Sequence, residues 1–257
     1  MNILYKSFKF IYGFFLFLLF SRKLNLKEIL KDKRVAVVGA ADSAYNTGLG
    51  SYLDEFDLII RMNKAPITIK DGEFKKDIGS KTDILFHNFF ENDTFGGGVL
   101  NFNLYEQLGI RYVINPIPTF FGYRNTFNFY KKYLTSKTIY SLSSRDYNKL
   151  KQEISPFRPT VGLCVLSAII NSHFSELYIT GFTFFKTNYG NGYRKSFTDV
   201  NDLRDTMDKM KIHNPDLEFR IFLKLLLNNS NKIIMMDKVL NSIVHRENEE
   251  KFHANHE

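Results

Sequence analysis

The chain has 257 residues, enough for one sizeable core, and its 44% hydrophobic and 24% charged residues are globular values that exclude a disordered or collagen-like protein. A formal net charge of +8 favours anionic partners: a sugar nucleotide, a membrane surface or a charged glycan. The cations are scattered and spell no zinc-finger or RNP pattern, so nucleic acid is set aside, while a single cysteine, Cys164, excludes an internal disulfide and suits a reducing compartment.

Residues 1–23 read as a unit of their own, a membrane-associated helix. The apolar run 10–20 would make a helix only about 16 Å long, against roughly 30 Å of bilayer hydrocarbon. Lys6, Lys9, Arg22 and Lys23 flank it and suit anionic headgroups, so the expectation is a helix lying on a membrane surface. A secretory signal would need a small-residue cleavage site, and none follows Phe20. A helix docked on the domain is the alternative.

Residues 35–39, VAVVG, predict a buried parallel strand that opens on a phosphate-sized loop. Residues 57–60 predict a second strand with Arg61 and Asn63 at its carboxyl end, where open α/β sheets bind ligands. Nothing spells Gly-x-Gly-x-x-Gly, the dinucleotide fingerprint. A third strand over 83–86 ends at His87, which is either structural or lines the site. The glycine-rich stretch 95–98 lacks the Gly-Lys-Ser/Thr ending of a P-loop. A helix over 100–108 and a strand over 111–114 follow, the latter stopped by Pro116 and Pro118. A helix over 123–134 carries Phe127, Tyr130 and Tyr133 as a core stripe. Thr160 reads as the N-cap of a buried helix over 163–170, with Gly162 allowing close approach; the unpaired N–H groups of such a start make an anion site. Residues 176–180 predict a strand ending at Gly181, and 186–197 a flexible basic loop. Asn214 and Pro215 read as the cap and first turn of a helix reaching 227, with His213 just before it. A strand over 233–236, a helix over 238–244 and a frayed charged tail over 246–257 complete the chain; His253 and His256 in that tail imply no fixed metal geometry.

The wording of these stretches resembles the animal-type sialyltransferases, glycosyltransferase family 29. VVGA at 37–40, FD at 56–57, IRMN at 60–63, AP at 65–66 and DIGSKT at 77–82 follow that family's long motif in order and spacing. Ala40 departs from it, standing where the family has an asparagine that contacts the nucleotide. Residues 159–162, 175–177 and 180–182 resemble the short motif, PSTG…DEV…YGF, which helps bind the CMP part of the donor. Gly192 and Tyr193 stand where a small third motif has histidine and tyrosine, and His213 with Glu218 matches the last motif, His-x-x-x-x-Glu. The family's disulfide would join positions held here by Val35 and Phe174. That missing staple points to a divergent, bacterial member at the cytoplasmic face of an inner membrane rather than the Golgi.

The resemblance implies a three-layer, Rossmann-like, single-nucleotide-site α/β fold (a GT-A-like variant) with a mostly parallel sheet in a glycosyltransferase domain over 24–245. It implies an inverting transfer of sialic acid from CMP-sialic acid to a hydroxyl of a glycan or glycolipid, with no metal and no other cofactor. Gly39, Asn63, Thr160, Gly162, Gly181 and Tyr193 would hold the CMP-sugar, and His213 would be the general base. A neutral imidazole near neutral pH suits that role. Because the family draws donor-pocket tyrosines from between its main motifs, Tyr112, Tyr123 and Tyr130 are further candidates. Three alternatives stand beside this reading: a CMP-Kdo-dependent transferase of the same fold, a nicotinamide-dependent oxidoreductase, and a non-catalytic glycan-binding module.

Overall fold

The computed structural model describes residues 3–92, 96–190, 193 and 199–254, with side chains through Glu247. Gly192, Phe95 and His256, and the side chain of His253, lie outside the described residues. The elements in chain order are α1 (Ile3–Phe20), β1 (Ser21–Lys23), α2 (Leu26–Leu30), β2 (Arg34–Val38), α3 (Gly50–Asp54), β3 (Leu58–Met62), α4 (Ala65–Ile69), α5 (Lys75–Ile78) and β4 (Ile84–Phe86). They continue with α6 (Phe102–Gln107), β5 (Tyr112–Asn115), α7 (Phe120–Tyr133), β6 (Ile139–Ser141), α8 (Ser144–Glu153), α9 (Val161–Ile170), β7 (Glu176–Thr180), α10 (Val200–Met210), α11 (Pro215–Asn228), β8 (Ile234–Met236) and α12 (Lys238–Ala254).

The strands form one sheet in the order β1-β6-β5-β4-β3-β2-β7-β8, and all seven pairings are parallel. Strand pleating sends alternate residues to opposite faces. Val35 and Val37 of β2 pack with Val165, Ile169, Phe219 and Phe222 from α9 and α11, whereas Ala36 and Val38 pack with Leu53, Phe56 and Ile78 on the other side. Both faces are therefore covered, as all-parallel sheets require, and the architecture is three-layer α/β.

The topology sets the place of the site. From β2 the chain steps outward through β3, β4, β5 and β6, then returns across the sheet to lay β7 on the other flank of β2. Loops leaving β2 and β7 thus diverge, and the crevice between them is where open α/β sheets take ligands. The two strand ends touch there: a Cβ on Gly39 would lie 2.1 Å from the carbonyl oxygen of Gly181, and Gly181 itself has φ +73°. Glycine is needed at Gly181 both for that backbone conformation and for the contact.

Three expectations change. The N-terminal helix has 18 residues rather than eleven, about 27 Å long, and one side of it rests on α7. Gly13 lies against the backbone of Lys131, Leu16 is buried, and Phe10, Phe14 and Phe17 surround Phe127. The boundary expected after Lys23 falls at the end of β1, an edge strand of the main sheet. At the other terminus the helix expected to stop at 244 runs to Ala254, because the glutamates, lysine and arginine that make the tail polar are also good helix formers.

Candidate functional site

At the β2–β7 crevice lies a cavity of about 690 Å³. The seven residues singled out from the sequence, Gly39, Asn63, Thr160, Gly162, Gly181, Tyr193 and His213, all line it. They come from six separate segments of the chain, and the topology brings them together.

Asn63 follows β3 in a left-handed conformation, φ +50°. Its Oδ1 accepts from Asn88 N at 3.3 Å, which leaves its amide N–H₂ without a partner among the described residues. Its neighbour Arg61, expected at the same strand end, is instead buried, donating to Ile78 O, Lys81 O and Thr82 Oγ1. Asp54 accepts from Ser80 N, Ser80 Oγ and Lys81 N. The long motif therefore divides: Arg61, Ser80 and Thr82 hold a loop in place, while Gly39 and Asn63 reach the cavity.

Thr160 caps α9, its Oγ1 accepting from Leu163 N at 3.2 Å. The same hydroxyl donates to Glu218 Oε2 at 2.6 Å, and Thr160 N donates to Glu218 Oε1 at 2.7 Å. The hydroxyl is thus engaged inside the protein, and what α9 offers a ligand is its first-turn N–H groups and dipole. Gly162 has room for a methyl group, since a Cβ at that position would lie 3.4 Å from Phe182 Cε1.

His213 stands before the Asn214 cap, whose Oδ1 accepts from Leu217 N, and Pro215 opens α11. Its Nδ1 donates to Arg158 O at 2.7 Å, which places the lone pair on Nε2. Burial, followed by the nearby Arg158 charge, holds the imidazole below its ordinary pKa against the raising effect of that hydrogen bond. Glu218 places its carboxylate 4.0 Å from His213 Nδ1 and is 2% exposed. Burial pushes it up to about 7, opposed by the two Thr160 donors.

The other cavity charges are positive. Lys151 of α8 and Arg158 line the wall, and neither has a carboxylate partner among the described residues. With Glu218 held by Thr160, the wall favours an anion. Sequence reading missed Lys151, Tyr147 and Tyr189, which line the cavity, and α10, which adds Met207 and Met210. It also missed Asp237, buried at the start of α12: Oδ2 accepts from Gly181 N at 2.9 Å and Ser43 Oγ at 3.1 Å, and Oδ1 from Leu240 N. That carboxylate fixes the β7 end of the crevice.

Four candidates lie elsewhere. His87 is fully buried away from the cavity, its Nε2 bonded to Gly97 O and its Nδ1 accepting from Phe89 N, and burial lowers it to about 4. It is a neutral structural histidine. Tyr130 is buried and bonded to Lys137 O, while Tyr112 meets Tyr140 edge to face; neither these nor Tyr123 line the cavity.

Residues 15–116 match the model of glycosyltransferase family 29 (sialyltransferase). A Homo sapiens CMP-N-acetylneuraminate-beta-1,4-galactoside alpha-2,3-sialyltransferase is 38% identical over 55 residues, 21% of this chain and 14% of that protein. Human beta-galactoside alpha-2,6-sialyltransferase 1 is 28% identical over 150 residues, 51% of this chain and 35% of that one. The chain thus spans well under half the length of these relatives. In the fold comparison, a mammalian sialyltransferase in complex with Gal-beta-1-3GalNAc-ortho-nitrophenol superposes with TM-score 0.50 and 18% identity, covering 82% of this chain and 71% of that one. At that identity the likeness speaks for the fold alone.

The expected bacterial inner-membrane setting is overturned, because the curated relatives come from Pan troglodytes, Homo sapiens, Rattus norvegicus and Mus musculus. That expectation rests on a missing disulfide. Val35 is instead fully buried beside Leu177, and Phe174 packs on the same core, so apolar contact fills the place of the staple and says nothing about source. By sequence, the likeness to glycosyltransferase family 29 (sialyltransferase) rests on the segment from residue 15 to residue 116.

Proposed function

We propose that the chain is an inverting sialyltransferase that moves sialic acid from its CMP-activated form to a sugar hydroxyl. The observation that carries the reading is the meeting, in one crevice, of a helix N-terminus, two cations without carboxylate partners among the described residues and a neutral imidazole with its lone pair on Nε2. The first-turn N–H groups of α9, with Arg158 and Lys151, suit the phosphate and carboxylate of such a donor. His213 Nε2 takes the acceptor proton as the acceptor oxygen forms its bond to the anomeric carbon and the bond to CMP breaks on the opposite face. Charge collecting on the departing phosphate is stabilised by donors already in place.

Transfer from CMP-activated sugars to simple galactosides, read as product and free CMP, tests the reaction, with EDTA added to check the expected independence from metal. Sialyl transfer unaffected by EDTA is the expected result. CMP at about a hundred times its Kd should stabilise the fold by about 2.7 kcal/mol, whereas NAD should not. Protection by NAD alone would overturn the reading. CMP-Kdo belongs in the screen because Ala40 lines the cavity where the family's asparagine would reach the nucleotide.

Arg158→Ala is expected to weaken donor binding about ten- to hundredfold by calorimetry, the loss of one charge-assisted hydrogen bond. Its backbone carbonyl, which orients His213, is untouched by the substitution. Unchanged affinity would remove the guanidinium from the donor site.

A further inference from the structure

Helix α10 turns one face into the cavity and the other to solvent. Leu203, Thr206, Met207 and Met210 line the cavity, and their spacing places them on a single helical stripe. Asp202, Asp205, Asp208 and Lys209 are exposed on the remaining faces. Thr206 spends its hydroxyl hydrogen inside the helix, donating to Asp202 O at 2.8 Å. What the stripe presents is therefore apolar. The flexible, polarisable thioethers of its two methionines suit a surface that must fit apolar groups of varied shape.

The stripe is held in place and leads to the candidate base. Arg204 donates from Nη2 to both carboxylate oxygens of Asp216, at 3.0 and 2.9 Å, and from Nη1 to Phe185 O at 3.4 Å. Those bonds tie α10 to the first turn of α11 and to the loop after β7, whose Phe185 also lines the cavity. Lys211 ends α10 in a left-handed conformation, φ +50°. Ile212 O then accepts from Arg158 N at 2.8 Å, beside the bond from His213 to Arg158 O. Met210 and Ile212 thus adjoin His213 in the chain and in the cavity. The acceptor oxygen must come within hydrogen-bond reach of His213 Nε2, and CMP departs on the opposite face, so the wall beyond His213 meets the acceptor. Beyond the Thr206 oxygen it gives a sugar's hydroxyls nothing to bond. Met210 is 43% exposed, so the stripe runs out to solvent and leaves room for a long substituent.

We infer that Leu203, Met207 and Met210 of α10, with Ile212 and Phe185, form a subsite for an apolar aglycone, an alkyl or aryl group joined to the acceptor sugar, and that this subsite selects such acceptors over bare sugars. The inference rests on the transferase reading, which supplies the side of the cavity that the acceptor takes.

The test uses the full chain and its Met207→Gln/Met210→Gln variant; neither methionine is fully buried, so glutamine of similar length replaces the thioether without stranding a polar group in the core. Each protein is assayed with CMP-sialic acid on methyl β-galactoside and on octyl β-galactoside kept below its micelle concentration. The wild-type protein is expected to show kcat/KM at least tenfold higher for the octyl acceptor, carried by a lower KM, because the longer chain leaves water. In the variant that ratio should fall at least fivefold, while Tm and the CMP dissociation constant hold. A wild-type ratio near one overturns the inference, as does a variant that keeps the wild-type ratio because both acceptors weaken alike. Weakened CMP binding with the ratio intact would assign the stripe to the donor and overturn it too. Transfer to neither acceptor by wild-type protein would overturn the transferase reading, and calorimetry of the two galactosides on the CMP-loaded protein then judges the subsite. Tighter binding of the octyl compound that the variant loses supports the subsite; equal binding, or none, overturns it.

Discussion

Replacing His213 by alanine is expected to lower kcat for sialyl transfer by about 10²–10⁴-fold while the CMP dissociation constant and Tm stay close to wild type. The base acts only as the acceptor proton moves in the transition state, so its loss should appear in turnover and not in donor affinity. The geometry supports this separation: among the described residues the His213 ring makes one hydrogen bond, to Arg158 O, and it is partly exposed. The pH profile gives a second reading. Because the imidazole is held below its ordinary pKa, it remains a competent base at neutral pH, and activity should fall only as pH drops below the ordinary histidine range near 6.5. A kcat near the wild-type value would sink the mechanism. His87 could not then take over, since it is sealed in the core with both ring nitrogens occupied.

Much of this site is legible in the sequence because its signals are local. The VAVVG run, the Asn214–Pro215 helix start and the Thr160 cap are written in neighbouring residues, and each lies within one or two positions of its expected place. The meeting of Gly39 with Gly181 is also implied, since parallel strands that end in glycine deliver both to one edge. What is not legible depends on partners distant in the chain. The Glu218 carboxylate reaches Thr160, 58 residues away, and nothing in HNPDLEF says that its fourth helical position turns inward. Asp237 reads as one more charge until β7 is laid beside it. Helix α10 escapes notice for another reason: VNDLRDTMDKM is polar apart from a few apolar residues, and Met207 and Met210 line a cavity rather than a core. The three residues of β6 are too few to show any period. In α1 the inward and outward stripes are equally apolar, and composition alone could not separate docking from membrane contact.

Replacing Glu218 by alanine is expected to destabilise the fold by about 3 kcal/mol, because Thr160 loses the acceptor for both its N–H and its hydroxyl and a buried void remains. The start of α9 is then no longer fixed, and donor affinity should fall together with stability, a pairing that His213→Ala lacks. Glu218→Gln separates the charge from the shape. The folded-state pKa of Glu218 is raised, from 4.5 to about 7, so the native protein binds the extra proton between those values. Its stabilising contribution is therefore fully present below pH 4.5 and is lost as pH rises through 7, a change of about 3 kcal/mol across the window. His87 has the opposite sign. Its pKa is lowered from 6.5 to about 4, so its contribution is present above 6.5 and lost as pH falls toward 4. In the wild-type protein the two effects oppose each other between pH 4.5 and 6.5, and stability there should change little on their account. Glutamine keeps the volume and one acceptor oxygen but cannot titrate, so the loss due to His87 should stand alone and the variant should weaken steeply on acidification. Relative to wild type, Glu218→Gln should lose up to about 3 kcal/mol more at pH 4.5 than at pH 7, read from urea unfolding at each pH. A difference between the two proteins that does not vary with pH would mean that Glu218 is ionised throughout, held as a carboxylate by the Thr160 donors and the helix starts around it.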